Sequence, residues 1–188
     1  MSTAAVMAGG KSSRMGRDKL LIELEGETLV GRAVRELGGA FDTVLLSVAD
    51  AKKYSVAAEP VEDVFPGCGP LGGLHAVLLR TEDEGAFIAA ADMPFFSAEA
   101  ALRIVEACGD AEACVPAWAD GRLEPLFAYY KKELAPRIEE LLREGRRSMR
   151  SLLDISRVKT VPVESLGGPR LLENLNTPED VAEAGLES

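Results

Sequence analysis

The sequence predicts an α/β fold with a largely parallel sheet covered by helices on both faces. Two observations carry this. Short, wholly apolar runs recur along the chain, as strands buried on both faces require. Amphipathic segments of helical period lie between them, so strand and helix alternate. A chain of 188 residues, 47% hydrophobic and 28% charged, suits one folded domain over 1–188 with a core that needs no disulfide or metal.

The elements follow in order. Ala4 to Met7 reads as a buried strand that stops at glycines. Thr28 to Leu37 reads as a helix, with Leu29, Ala33, Val34 and Leu37 on one stripe. Thr43 to Val48 is the next strand, and Pro60 to Val64 a weaker one. A helix is expected over Leu74 to Arg80, after the loop-like FPGCGPLGG. Ala86 to Ala91 is a fully apolar strand ending at Asp92-Met93-Pro94. Ser97 caps a helix reaching about Cys108, with Glu99 near its positive end. Ala113 to Pro116 and Leu126 to Tyr130 are strands flanking the turn AWADGR. Lys132 to Glu144 is an amphipathic helix interrupted early by Pro136, and Val158 to Val163 is a late strand. Thr177-Pro178-Glu179-Asp180 carries an N-cap, a first-turn proline and acids, so a last helix starts there.

A net charge of −10 argues against a nucleic-acid binder, which would present a basic face. It leaves room for an anionic ligand in a local basic pocket. Cys68, Cys108 and Cys114 form no CxxC pair, so neither zinc nor a disulfide framework is expected. Buried thiols in a reducing compartment are the expectation. The apolar start is too short for a signal peptide, and no run approaches the roughly 20 apolar residues of a membrane span. A cytoplasmic protein is expected, with no membrane partner.

Two segments carry chemistry, both at the carboxyl ends of strands, where ligands gather in such folds. The first is MAGGKSSRMGRDK, after the first strand. Glycines let backbone N–H groups approach phosphate oxygens, and Lys11, Arg14, Arg17 and Lys19 supply positive charge. It is not a Walker A loop, because that pattern needs a glycine where Ala5 stands, nor is it GxGxxG. A solvated glycine turn is the plainer alternative. The second is Asp92 in AAADMP, a lone carboxylate ending an apolar strand. Unpaired burial would be costly, so a backbone cap, a salt bridge or a metal must meet it. Mg²⁺ suits one carboxylate beside a phosphate loop. Between the two lies EDVFPGCGPLGGL, read as a Gly/Pro loop that either passes under a flat ring or only turns the chain. His75 gets no chemistry, and nothing resembles a Ser-His-Asp or Cys-His arrangement.

The opening MAGGKSSRMGRDKLLIELEGETLVGR resembles the signature of nucleotidyltransferases of the molybdenum cofactor guanylyltransferase type. The resemblance continues in order through GPLGG, ADMP, LEPLFAYY, GRRSMRSLL and ENLNTPED, nearly the whole chain. It implies a three-layer Rossmann-like nucleotidyltransferase fold with a mostly parallel sheet. The implied reaction moves GMP from Mg-GTP to the terminal phosphate of molybdopterin, or its molybdenum-loaded form, and releases pyrophosphate. Handover of the product to molybdoenzyme-maturation proteins would follow.

By the same resemblance, Met7, Ala8, Gly9 and Gly10 hold the nucleotide, and Lys19 is the phosphate-binding lysine, with Arg14 second to it in catalysis. Asp63 contacts the nucleotide, Asp92 also ligates Mg²⁺, and Asn174 and Asn176 face the pterin. Two positions depart from the pattern. Met7 replaces the commoner leucine, a volume-conserving change. Ser47-Val48-Ala49-Asp50 lacks an asparagine that some relatives carry near the base. Alternatives within the same reaction are CTP with molybdopterin, or GTP with a corrinoid or sugar phosphate. A non-catalytic nucleotide binder is the alternative outside it.

Overall fold

The computed structural model describes residues 2–9, 18–50, 52–175 and 180. The strands are β1 (Thr3–Met7), β2 (Glu23–Leu24), β3 (Glu27–Thr28), β4 (Thr43–Val48), β5 (Glu59–Glu62), β6 (Gly85–Ala90), β7 (Ala113–Ala117), β8 (Phe127–Lys131) and β9 (Val158–Pro162). The helices are α1 (Leu29–Gly38), α2 (Gly69–Arg80), α3 (Ala98–Cys108), α4 (Ala135–Arg143), α5 (Met149–Leu153) and α6 (Val163–Leu166). Seven strands form one sheet in the order β5-β4-β1-β6-β8-β7-β9, and β2 and β3 form a separate hairpin. The β1, β4, β5 and β6 pairings are parallel, as is β7 with β9. Within the seven-stranded sheet only β8 runs against its neighbours. The mostly parallel sheet is therefore as expected.

Alternation along β1 explains the three layers. Ala4 and Val6 point to the face covered by α1, α3 and α6, with Val30, Leu37, Ile104 and Leu166 buried there. Ala5 and Met7 point to the other face, against Leu71, Leu74, Ile138 and Leu152 of α2, α4 and α5. The central strands β1 and β6 carry buried side chains throughout, which is why they read as continuous apolar runs. Ser97 accepts from Ala100 N–H at 3.2 Å and starts α3 where its cap predicts, while Thr28, read as the first residue of its helix, caps α1 by accepting from Gly31 N–H at 3.1 Å.

Several boundaries differ from expectation. Helix α2 starts at Gly69, five residues before Leu74, because GPLGG is its first turn and not a loop. Pro70 suits a first turn, where its missing N–H goes unnoticed. Gly72 and Gly73 let the helix lie close to the sheet: a Cβ on Gly73 would fall 2.4 Å from Ser47 Oγ and 2.8 Å from Met7 Cε. The weak strand is Glu59–Glu62 rather than 60–64, with Asp63 just beyond its end. The segment from Lys132 is a 3₁₀ turn to Leu134 followed by α4, the proline standing in α4's first turn. The last helix expected from Thr177 lies mostly outside the described residues. No helix among those described is long and apolar enough to cross a membrane. Cys68, Cys108 and Cys114 are buried free thiols, and burial pushes Cys114 up to about 11.

His75 is packed inside, 1% exposed, edge-on to Phe65 with ring centroids 5.3 Å apart. Neither ring nitrogen has a hydrogen-bond partner among the described residues, and Glu139 Oε2 stands 3.9 Å from Nε2. Burial pushes its pKa below the usual 6.5, against a weaker upward pull from Glu139. The folded state thus favours the neutral ring. Its contribution is complete above about pH 6.5 and is lost as pH falls through the lower folded-state value. We expect His75→Leu to show a shallower loss of stability between pH 7 and 5 than the parent, read from urea unfolding. An unchanged pH dependence would contradict this.

Candidate active site

The carboxyl ends of β1, β4, β5 and β6 gather most of the predicted residues. Met7 ends β1 between its neighbours: Ala8 N–H donates to Ser47 O at 2.9 Å, and Ala91 N–H donates to Met7 O at 3.2 Å. Ala8 is buried, while Gly9 is exposed at the mouth of the site. Asp63 follows β5. An added Cβ on Gly73 would meet Ser47 Oγ, Met7 Cε and, at 3.6 Å, Asp63 Oδ1, so these three groups converge over α2's first turns. Burial raises the Asp63 carboxyl above its usual range.

Lys19 and Asp92 meet across 73 residues of chain: Nζ donates to Oδ2 at 2.5 Å. Both side chains remain partly open, 25% and 19% exposed. Asp18 caps the 3₁₀ turn Lys19–Leu21, accepting from Leu20 N–H at 3.2 Å. Its other oxygen accepts from Tyr54 O–H and Lys53 Nζ, each at 2.6 Å. Burial would raise the Asp18 carboxyl, but these hydrogen bonds outweigh it and hold the carboxyl below its usual range. Tyr54, buried and bonded to Asp18, is pushed up to about 12. The loop after β4 thereby holds the segment that delivers Lys19. Arg32 lies off the site but donates to Pro94 O at 3.1 Å, bracing the turn behind Asp92.

A second recess opens on the other side of Asp92. Glu124 and Leu126 precede β8, and Leu126 O accepts from Ala90 N–H at 2.8 Å, which brings this segment level with Asp92. Leu175 N–H donates to Asp92 O at 2.9 Å, and Asn174 beside it lines the recess. The cavity, about 360 Å³, is walled by Trp118, Arg122, Glu124, Arg150, Leu153 and Leu172, among others. Asn174 thus lines this recess, whereas Met7, Ser47 and Asp63 converge at Gly73. Trp118, Arg122 and Glu124 on this wall draw no expectation from the sequence, where AWADGR reads as a plain turn. Gly10, Arg14 and Asn176 lie outside the described residues.

Sheet order makes the arrangement bipartite. The β5-β4-β1 half carries the loops that follow β1 and β5, the β8-β7-β9 half carries the cleft, and Asp92 follows β6 between them. Asp92 thus stands between the two parts of the sheet edge, its carboxylate paired with the Lys19 ammonium.

Residues 4–161 match the family described as "MobA-like NTP transferase domain". The chain is 39% identical over 184 residues to a probable molybdenum cofactor guanylyltransferase of Opitutus terrae, covering 94% of this chain and 91% of that one. A protein of the same description from Methanosarcina mazei is 32% identical over 201 residues, with 95% and 88% covered. The crystal structure of molybdopterin-guanine dinucleotide biosynthesis protein A from Archaeoglobus fulgidus superposes with a TM-score of 0.83 at 28% identity, covering 98% of this chain and 97% of that chain.

Proposed function

The chain belongs to the MobA-like NTP transferase family and is a nucleotidyltransferase; from that premise we propose that it transfers GMP from Mg-GTP to the terminal phosphate of molybdopterin and releases pyrophosphate. The observation that carries the reading is the Lys19–Asp92 pair between a glycine-bearing half-site and a separate cleft. Names of relatives supply the substrates. Met7, Ala8, Gly9 and Gly10 would cradle the nucleotide, with Asp63 accepting a donor from it. Arg14 would add charge at the phosphates, and Asn174 and Asn176 would meet the acceptor.

The residues fit Mg²⁺. Asp92 already accepts a cation, the Lys19 ammonium, at 2.5 Å. Among the described residues no three His, Cys, Asp or Glu side chains converge. A cation held by one carboxylate and completed by phosphate oxygens and water is the habit of Mg²⁺ rather than zinc. Bound there, it supplies neutralisation of phosphate charge.

The acceptor's phosphate oxygen forms a bond to the α-phosphorus as the bond to the bridging α–β oxygen breaks, and pyrophosphate departs with that electron pair. A phosphate monoester is largely ionised near neutrality. No general base is then required, in keeping with a site that contains no histidine among the described residues. Alignment and charge neutralisation are the chain's work, and Lys19 supplies the second. Tyr54→Phe removes one hydrogen bond to Asp18, worth ~1 kcal/mol net. We expect kcat to fall about fivefold with KM for the nucleotide little changed; an unaltered kcat would dissociate Tyr54 from the aim of Lys19.

Thermal-shift measurements with Mg²⁺ and each of the four NTPs test the nucleotide assignment, since a ligand at a hundred times its Kd adds about 2.7 kcal/mol to stability. GTP should raise Tm most. A larger shift with CTP would move the reading to a cytidylyltransferase.

A further inference from the structure

His75 is the one buried side chain among the described residues whose polar atoms are left wholly unpaired. Such groups are rare and ask for a reason. A leucine of similar bulk would fill the space without that cost, so the imidazole is explained by what only it can do near neutrality, which is to take up a proton. Its neighbours tie it to the nucleotide half of the site. The loop from β5 to α2 runs Asp63-Val64-Phe65-Pro66-Gly67-Cys68. Val64 points outward, 57% exposed, so the hold on Asp63 passes to Phe65. The Phe65 ring meets His75 edge-on, with 67° between the planes, and Phe65 O accepts from Cys68 N–H at 3.3 Å. Asp63 and Phe65 rest on the same turn of α2. A Cβ added to Gly72 would stand 3.2 Å from Phe65 O and 3.9 Å from Asp63 Oδ2.

Resting on the assignment of Asp63 to the nucleotide proposed above, we propose that His75 is a positioning residue: its neutral ring seats Phe65, and through it Asp63, in the geometry that binds the nucleotide, and its charged ring unseats them. A charged ring needs a partner or water, and the surroundings offer one partner. Glu139 of α4 stands 3.9 Å from Nε2, is 38% exposed and is itself bonded to Arg143. Turning toward it draws the ring off Phe65. The other charged groups about α2 are engaged at the helix's far end: Glu59 of β5 with Arg80, and Lys132 of the 3₁₀ turn with Thr81 O. At the near end stand Asp63 and the buried Cys68 thiol. Strands β1, β4 and β6 turn Met7, Leu45 and Ile88 to this side, all uncharged. Burial lowers the His75 pKa more than Glu139 raises it. The ring is therefore neutral at neutral pH, where the hold on Asp63 is complete, and that hold is lost as pH falls through the lowered value.

His75 is the chain's only histidine, so its ring gives a single Cε1–H signal in proton–carbon NMR. The test follows that signal against pH in the full chain, alone and saturated with Mg-GTP or, separately, with Mg-CTP. By linkage, a nucleotide that prefers the neutral ring must lower the titration midpoint. We expect a fall of about 0.5 or more, equal to about threefold tighter binding to the neutral form. The sign separates two causes, because the negative charge of a triphosphate acting through its field alone would raise the midpoint. A rise, no change with either nucleotide, or a ring that never charges while the fold persists overturns the proposal. Phe65→Ala, shown to be folded by its Tm, should lose at least half of the fall. An equal fall in that variant overturns the route through Phe65. A fall with CTP and none with GTP leaves the role of His75 standing and overturns the choice of base. If the chain fails to turn over GTP with molybdopterin yet Mg-GTP lowers the midpoint, the reaction proposed above fails and the role of His75 stands.

Discussion

Asp92→Ala is expected to lower kcat at least a thousandfold while the protein stays folded. Two losses combine in this variant: the carboxylate that would hold Mg²⁺ goes, and so does the partner that aims Lys19 at 2.5 Å. Removing one preorganised electrostatic group from a transition state commonly costs 10²–10³ in kcat, roughly 2.7–4 kcal/mol, and Asp92 serves in both capacities. The fold should tolerate the change. Asp92 braces the structure through its main-chain oxygen, which accepts from Leu175 N–H at 2.9 Å, and that bond survives truncation of the side chain. Its carboxylate is 19% exposed, so the Lys19 ammonium left behind can be rehydrated. The checks are kcat across a Mg²⁺ titration and Tm by circular dichroism. A kcat within threefold of the parent would remove Asp92 from the chemistry, and collapse of Tm would make it a structural residue.

Lys19→Ala is expected to lower kcat/KM about 10²–10³-fold. Lys19→Arg should restore little, because a planar fork cannot place its charge where a compact ammonium stood. The pair should also be non-additive, since each residue orients the other. The Lys19→Ala/Asp92→Ala double variant should lose scarcely more than Asp92→Ala alone. Multiplied losses in that cycle would mean that the two act independently.

The parts of the fold that were legible in the sequence are those governed by local pattern. Strands β1 and β6 are buried on both faces, so they appear as unbroken apolar runs, and the cap Ser97 marks a helix start. Helix α2 was mis-bounded because its glycines answer a tertiary demand, the close approach of Gly73 to Met7 and Ser47. Glycine and proline weigh against helix locally, and packing overrode them. The β2–β3 hairpin was missed because two-residue strands have no period. Its signal was the turn, where Glu25 and Gly26 take φ of 55° and 81°, as a two-residue hairpin turn requires.

At the site the division is similar. Asp92 was legible because a lone carboxylate closing an apolar strand demands a partner. The identity of that partner comes from a contact 73 residues apart in sequence. Glu124 was invisible for the same reason. Its place beside Asp92 depends on β8 pairing antiparallel with β6, Phe127 opposite Ala89, and nothing in LEPLFAYY announces that pairing. The clamp of Tyr54 and Lys53 on Asp18 likewise joins segments 36 residues apart.

Release of pyrophosphate by the purified chain, with Mg²⁺, each NTP in turn and molybdopterin as acceptor, tests the central claim most directly. GTP with molybdopterin should give stoichiometric pyrophosphate and a guanine dinucleotide product, with turnover lost in Asp92→Ala. Faster turnover with CTP, or GTP turnover that proceeds equally without molybdopterin, would contradict it.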